Sequence, residues 1–159
     1  MQLKRTYANK LVAALAVGTA ILAGTALSGA GTANAAEYWG GPVDIHCSGL
    51  SPNIVDFPYT STIYWSGGSA RPGVASFTVN PGISVWGYGT HPTLTWTNLA
   101  TRASGTVTGY GRVSLGDPTG VYFANIATGP GPVRLDLSVV NTGPAPLPPA
   151  ICSGTINIR

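Results

Sequence analysis

Apolar and polar side chains alternate strictly in the stretch VRLDLSV at residues 133–139. Successive side chains of an extended chain point to opposite faces, so Val133, Leu135, Leu137 and Val139 would all face one way. A helix would scatter the same four side chains around its axis. The stretch therefore predicts a half-buried β-strand whose apolar face is turned toward a core.

The same period of two recurs through the chain after residue 35. Further candidate strands cover residues 43–47, 62–65, 75–79, 83–88, 93–97, 105–110, 120–127 and 151–158. Gly- and Pro-rich turn signals, among them Gly67-Gly68, Asn80-Pro81-Gly82 and Asp117-Pro118, separate them at roughly ten-residue spacing, as in a sandwich or barrel. Residues 98–105 are expected to form a hairpin turn, and the Pro-rich residues 141–149 an extended loop before the last strand. We predict an all-β, antiparallel fold.

The N-terminus has the order of features typical of an export signal. Lys4, Arg5 and Lys10 precede an uncharged, mostly apolar run at residues 11–27, and the small residues Ala33-Asn34-Ala35 follow. We therefore predict a cleavable signal peptide at residues 1–35 and a secreted, extracellular domain at residues 36–159, with no stable membrane span after cleavage. An uncleaved anchor is the alternative, although the apolar run is at the short limit for a span.

Removal of the signal peptide changes the charge. The full chain has a formal charge of +3, but residues 36–159 contain no Lys and carry five Arg and five acidic residues, so their formal charge is zero. The Arg residues are scattered along the sequence. Nucleic-acid binding needs clustered basic charge that displaces counterions, so we exclude a nucleic-acid partner.

Cys47 and Cys152 are the only cysteines. In an exported protein the expected state of such a pair is a disulfide, with two buried free thiols as the alternative. Cys47 ends the first predicted strand and Cys152 begins the last, and a disulfide needs Cα atoms roughly 4.4–6.8 Å apart. The first and last strands should therefore run antiparallel, with both cysteines facing inward.

Catalytic and metal-binding patterns are absent from the sequence. His46 and His91 are the only histidines, too few for a zinc site; we expect His46 to face solvent beside Asp44 and His91 to lie in a turn. There is no Gly-x-Ser-x-Gly motif, and the five acids, Asp56 in an irregular stretch among them, suggest no catalytic pair. We expect no catalytic residue, no metal and no cofactor.

Aromatic residues are the remaining candidates for binding. In residues 83–88, Ile83 and Val85 would share one face of a strand, and Trp86 and Tyr88 the other. If the first pair is in the core, the second is an exposed pair on which a sugar ring or a protein partner could stack. The alternative places Trp86 in the core. Tyr64 is a third candidate, because Tyr64 and Trp65 cannot both face inward.

The segments LTWTN (residues 94–98), SGTV (104–107) and CSGT (152–155) together resemble small secreted immunoglobulin-like β-sandwich proteins of high-GC Gram-positive bacteria. The resemblance implies an immunoglobulin-like sandwich of about 7–9 strands and an extracellular location, but no activity. It differs from antibody domains because the cysteines lie in the terminal strands.

The sequence thus favours a secreted, non-enzymatic interaction module whose partner is an extracellular protein or a cell-envelope component. A carbohydrate-binding module that uses the exposed aromatics and binds a glycan is the second hypothesis. A small hydrolase is the third.

Overall fold

The structure, a computed structural model, describes residues 35–116 and 120–159. These residues form nine β-strands and no helix: β1 (Tyr38–Gly49), β2 (Tyr59–Gly68), β3 (Val74–Pro81), β4 (Tyr88–Asn98), β5 (Ser104–Thr108), β6 (Gly111–Val113), β7 (Val121–Ala127), β8 (Gly131–Thr142) and β9 (Ala150–Ile158). The all-β prediction is confirmed. The predicted signal peptide, apart from its last residue, and the Asp117-Pro118 turn lie outside the described residues.

The strands form a sandwich of two antiparallel sheets. One sheet has the order β1-β2-β3-β7 and the other β5-β4-β8-β9, with β6 also paired to β4. The alternation at residues 133–139 is the inner face of β8, where Val133, Leu135, Leu137 and Val139 are fully buried. The sheet pairing thus confirms the period-two argument, and the core lies between the two sheets.

The edge strands β1 and β9 face each other across one side of the sandwich. A disulfide joins Cys47 to Cys152, with their Cα atoms 5.4 Å apart. On either side of it, Gly49 lies against Ala150 and Gly154 lies against Ile45. The residue numbers rise on one strand as they fall on the other, so β1 and β9 run antiparallel, as predicted.

Residues 82–87 are not a strand, contrary to the prediction for residues 83–88. The chain bends there, and Gly87 has a φ of 73°, a conformation that favours glycine and reverses the side-chain alternation. Tyr88 consequently begins β4 as a buried residue.

His91 lies within β4 and is exposed, so the prediction that it lies in a turn is wrong. The adjacent Pro92 fits in the strand because β4 changes partners there. Thr90 is the last residue that pairs with β6, and Thr93 the first that pairs with β5. A proline lacks the N–H group that a continuous ladder would need.

The loops that join the strands gather at the two ends of the sandwich. At one end, Ala145 N donates to Pro52 O, so the β8–β9 loop (143–149) lies against the β1–β2 loop (50–58). At the other end, Ser69 N donates to Glu37 O, and Gly73 N to Arg159 O. The hairpin turn between β4 and β5 is at this second end and, like the Pro-rich loop, matches the prediction.

Candidate functional site

The loops β1–β2 (residues 50–58) and β3–β4 (residues 82–87) are tied together by the carboxylate of Asp56. Its Oδ1 atom accepts hydrogen bonds from the backbone N–H groups of Phe57 (2.8 Å) and Val85 (2.9 Å). Its Oδ2 atom accepts one from Asn53 Nδ2 (2.8 Å) and one from the Ser84 hydroxyl. One side chain therefore fixes two loops that are distant in sequence.

Two further bonds complete this connection. The hydroxyl oxygen of Ser84, a fully buried residue, accepts the backbone N–H of Gly87 at 2.8 Å, which holds the bend before β4. The indole Nε1 of Trp86 donates to the backbone oxygen of Val55 at 2.9 Å. The Trp86 ring is thus attached to the opposite loop and held in one place.

The pKa of Asp56 reflects this environment. Partial burial alone would raise it, but the hydrogen bonds from Asn53, Ser84, Val85 and Phe57 together outweigh burial and hold the pKa well below its usual range. Each of these donors favours the charged form. The carboxylate is therefore ionised throughout the physiological pH range, and its lone pairs are occupied by structural bonds.

Large apolar side chains project from the same two loops into solvent. We call this group the apolar tip: Leu50, Ile54, Val55, Phe57, Val85 and Trp86. Ile54 is 89% exposed, Val55 78% and Trp86 69%, although their residue types are normally buried. Contiguous exposed apolar surface marks interaction sites in soluble proteins.

A shallow cavity of ≈ 260 Å³ lies beside the apolar tip, where Leu147 of the β8–β9 loop approaches Leu50 and Ile54. A third loop therefore supplies part of the apolar surface. Hydrogen bonds join the β1–β2 and β3–β4 loops, so the protein's own contacts fix the arrangement of this surface.

Asp56 is the titratable side chain that lies between the loops of the apolar tip. The Asp56 carboxylate accepts four structural hydrogen bonds, and neither histidine belongs to the apolar tip. His46 instead lies 3.6 Å from Asp44 on the exposed face of β1, as the sequence predicted. Within the described part of the chain, no three His, Cys, Asp or Glu side chains are grouped so that they could hold a metal ion.

The structure does not bring the three aromatic candidates together. Trp86 is exposed at the apolar tip, and Tyr64 is 44% exposed on the outer face of β2. Tyr88 is only 3% exposed, so the exposed Trp86–Tyr88 pair is not formed. The reason is the bend at Gly87, which turns the two side chains in different directions.

Sequence reasoning missed the Asp56 connection and the exposed loop residues around it. Asn53 and Asp56 are three positions apart, a spacing that suggests a local turn. Ser84, however, is 28 residues away from Asp56, and no local pattern indicates that contact.

Comparisons of the chain with protein-family models, with curated proteins and with solved structures give no match. Among the described residues there is no helix long and apolar enough to cross a membrane.

Proposed function

We propose that this chain is a secreted, non-enzymatic interaction module, exported by a signal peptide at residues 1–35 and acting outside the cell through residues 36–159. Its partner is an extracellular protein or a cell-envelope component that contacts the apolar tip. The observation that carries the proposal is the exposure of Ile54, Val55 and Trp86 on loops that Asp56 holds in place.

The composition of the apolar tip fits a protein partner best. Trp and Phe are enriched at protein interfaces, and Trp in particular contributes a large share of their binding energy, so these rings next to aliphatic side chains suit a protein contact. Glu37 and Arg159 are at the other end of the sandwich, so the apolar tip is remote from where the described chain starts and finishes.

The disulfide between β1 and β9 supports export, because such bonds persist in oxidising compartments. We also propose that the domain is immunoglobulin-like, as its sequence suggests, and the two-sheet sandwich supports this. A glycan that stacks on Trp86 is the second candidate partner, favoured by the exposure of that ring. A hydrolase finds no support in the carboxylate at the tip.

The proposal is tested with protein recovered from cells that express the full chain. Its mass in the culture medium should correspond to a chain that begins at Ala36. Co-sedimentation with cell envelopes of the producing organism, and cross-linking to the proteins of its medium, then measure partner binding. The paired substitutions Ile54→Ser and Val55→Ser should weaken this association by at least about tenfold.

The matched control is Leu99→Ser, which removes an exposed apolar side chain from the β4–β5 loop at the other end of the sandwich. It should leave association unchanged. Equal loss in both variants, or no association of the unaltered protein with any envelope or medium component, would contradict the proposal. Retention of the uncleaved chain in the membrane would contradict the export part alone.

A further inference from the structure

A second surface feature lies on the outer face of the sheet β1-β2-β3-β7, at the end away from the apolar tip. It is a groove of ≈ 310 Å³, within the size range of small-molecule sites, and its lining includes Tyr38, Ser66, Gly68, Arg71, Tyr122 and Asn125. These residues come from three strands and the β2–β3 loop. None of them belongs to the Asp56 network.

The backbone is strained where it presents Asn125 to the groove. Asn125 has a φ of 53°, a left-handed conformation that is uncommon for residues other than glycine. It lies at an irregularity in the pairing of β3 with β7, between the pairs Ala75–Ile126 and Phe77–Phe123. Such bulges re-aim side chains, and local strain of this kind collects at binding and active sites.

Two side chains hold the strained residue in place. The Ser76 hydroxyl accepts the backbone N–H of Asn125 at 3.0 Å, and Arg71 Nη1 donates to Asn125 Oδ1 at 3.2 Å. The Oδ1 atom of Asn125 faces Arg71. The Nδ2 group of the same amide has no hydrogen-bond acceptor among the described residues. The groove thus contains an oriented amide and an oriented guanidinium.

Arg71 is a cation without an ion pair among the described residues. The described ion pairs join His46 to Asp44, Arg134 to Asp136 and Arg159 to Glu37. A guanidinium has five N–H groups in a planar fork that fits a carboxylate, and only one of them is used by Asn125. The groove therefore offers a site for a carboxylate.

Two tyrosine rings give the groove flat aromatic surface. Tyr38 is 82% exposed, and its ring lies against Gly68, where a Cβ atom would be 3.4 Å from the ring. Tyr122 lines the same groove from β7. Flat exposed rings stack on the C–H face of a pyranose, while short polar groups such as Ser66 bond its hydroxyls.

We infer that this groove binds an acidic sugar, a pyranose that carries a carboxylate, with Arg71 on the carboxylate, Asn125 on a hydroxyl and the rings of Tyr38 and Tyr122 against the sugar face. An extended acidic peptide fits less well. Peptides that add to a sheet pair along the edge of a strand, whereas this groove lies on the outer face of the sheet, and its lining crosses the sheet from β1 to β7.

The inference is independent of the apolar tip and is tested at the groove itself. Protein purified from cells that express the full chain is labelled with ¹⁵N and titrated with trigalacturonic acid, and the amide shifts of the groove residues are followed. Binding should be saturable at millimolar concentration or below. The matching neutral galactose trimer should bind at least about tenfold more weakly, because it lacks the carboxylate.

Variants locate the site. Arg71→Gln and Tyr122→Ala should each weaken binding by about tenfold or more. Tyr64→Ala removes an exposed tyrosine of the same sheet that does not line the groove, and Arg102→Gln removes an exposed Arg of the β4–β5 loop; both should leave binding within about twofold. The inference is overturned if trigalacturonic acid shifts no groove amide, if the neutral trimer or a tri-glutamate peptide binds equally well, or if the control variants lose binding as much as Arg71→Gln.

Discussion

The carboxylate of Asp56 accepts the backbone N–H of Val85 at 2.9 Å, which joins two loops across 29 positions of the sequence. The same carboxylate accepts Phe57 N and Asn53 Nδ2 from its own loop and the Ser84 hydroxyl from the other. The exposed side chains of the apolar tip gain little from burial, so their loops depend on these polar bonds for their shape. Asp56 therefore links the stability of the loops to the arrangement of the exposed apolar side chains they carry.

Asp56→Asn should lower the free energy of unfolding by about 2 kcal/mol, since hydrogen bonds to a charged group contribute roughly 1.5–3 kcal/mol and an amide replaces one acceptor with a donor. Urea denaturation measures the change. Asp44→Asn is the matched control, because the Asp44 side chain is 98% exposed and its contact with His46 is an exposed ion pair at 3.6 Å; the substitution should change stability by less than about 0.5 kcal/mol. Equal effects of the two substitutions would disprove the structural role of Asp56.

Acid should destabilise the fold through the same residue. The folded pKa of Asp56 is held well below its usual range, because its hydrogen bonds outweigh the opposing effect of burial. Below about pH 4 the unfolded chain takes up a proton that the folded chain does not, so the stabilisation present at neutral pH is lost as the pH falls. Denaturation midpoints measured from pH 6 to pH 2 should decline, and the decline should be shallower in Asp56→Asn. Parallel pH profiles of the two proteins would argue against this assignment.

Alkali should destabilise the fold through buried tyrosines. Burial, together with the nearby Tyr59 and Asp56, raises the pKa of Tyr88 to about 12, and burial also raises that of Tyr59. The unfolded chain releases these protons near pH 10 while the folded chain keeps them, so stability is complete below pH 10 and is lost as the pH rises toward 12. Tyr88→Phe should flatten this decline. Tyrosinate absorbance that rises fully near pH 10 in the folded protein would contradict the prediction.

The strands of this protein could be predicted because their signal is local. Alternation within a few residues is enough to define the inner face of β8, and the same parity places Val43, Ile45 and Cys47 together in the core. The disulfide and the antiparallel direction of β1 and β9 can be predicted from the positions of two cysteines and the short Cα–Cα separation that a disulfide requires. Neither inference needed knowledge of the sheet order.

The two surfaces that we propose for binding could not be predicted because their signals are not local. The alternation predicts that Gly87 is an ordinary strand residue, yet its left-handed backbone separates Trp86 from Tyr88. The bond from Ser84 to Asp56 depends on how two loops pack, and nothing near either residue indicates it. The groove at Asn125 depends in the same way on a bulge, which shifts the pairing of two strands that are distant in sequence.

The disulfide should stabilise the sandwich mainly by restricting the unfolded chain. Cys47 and Cys152 are 105 positions apart. Closing a loop of that length lowers the entropy of the unfolded state by an amount equivalent to about 4–5 kcal/mol, and real disulfides often stabilise a protein by less than this figure. The paired substitutions Cys47→Ala and Cys152→Ala should therefore cost about 2–5 kcal/mol in denaturation experiments. Unchanged stability in the double variant would show that the bond contributes nothing to the fold.

The close packing of β1 on β9 predicts that any side chain at residue 154 destabilises the fold. A Cβ atom there would overlap the Ile45 side chain, with Cδ1 at 3.0 Å, and would lie 3.2 Å from the backbone oxygen of Asp44. Ile45 is buried in the core and the Asp44 oxygen belongs to the backbone, so neither can move cheaply. Gly154→Ala should lower the free energy of unfolding by about 1–3 kcal/mol, the usual penalty for overpacking. Gly116→Ala is the control, since Gly116 is exposed, does not have a positive φ, and would place its Cβ atom more than 4 Å from any atom of the residues that the structure describes. It should be neutral or stabilise by up to about 1 kcal/mol through the unfolded state. If thermal denaturation finds the two alanine variants equally stable, β1 and β9 are not in close contact at Gly154.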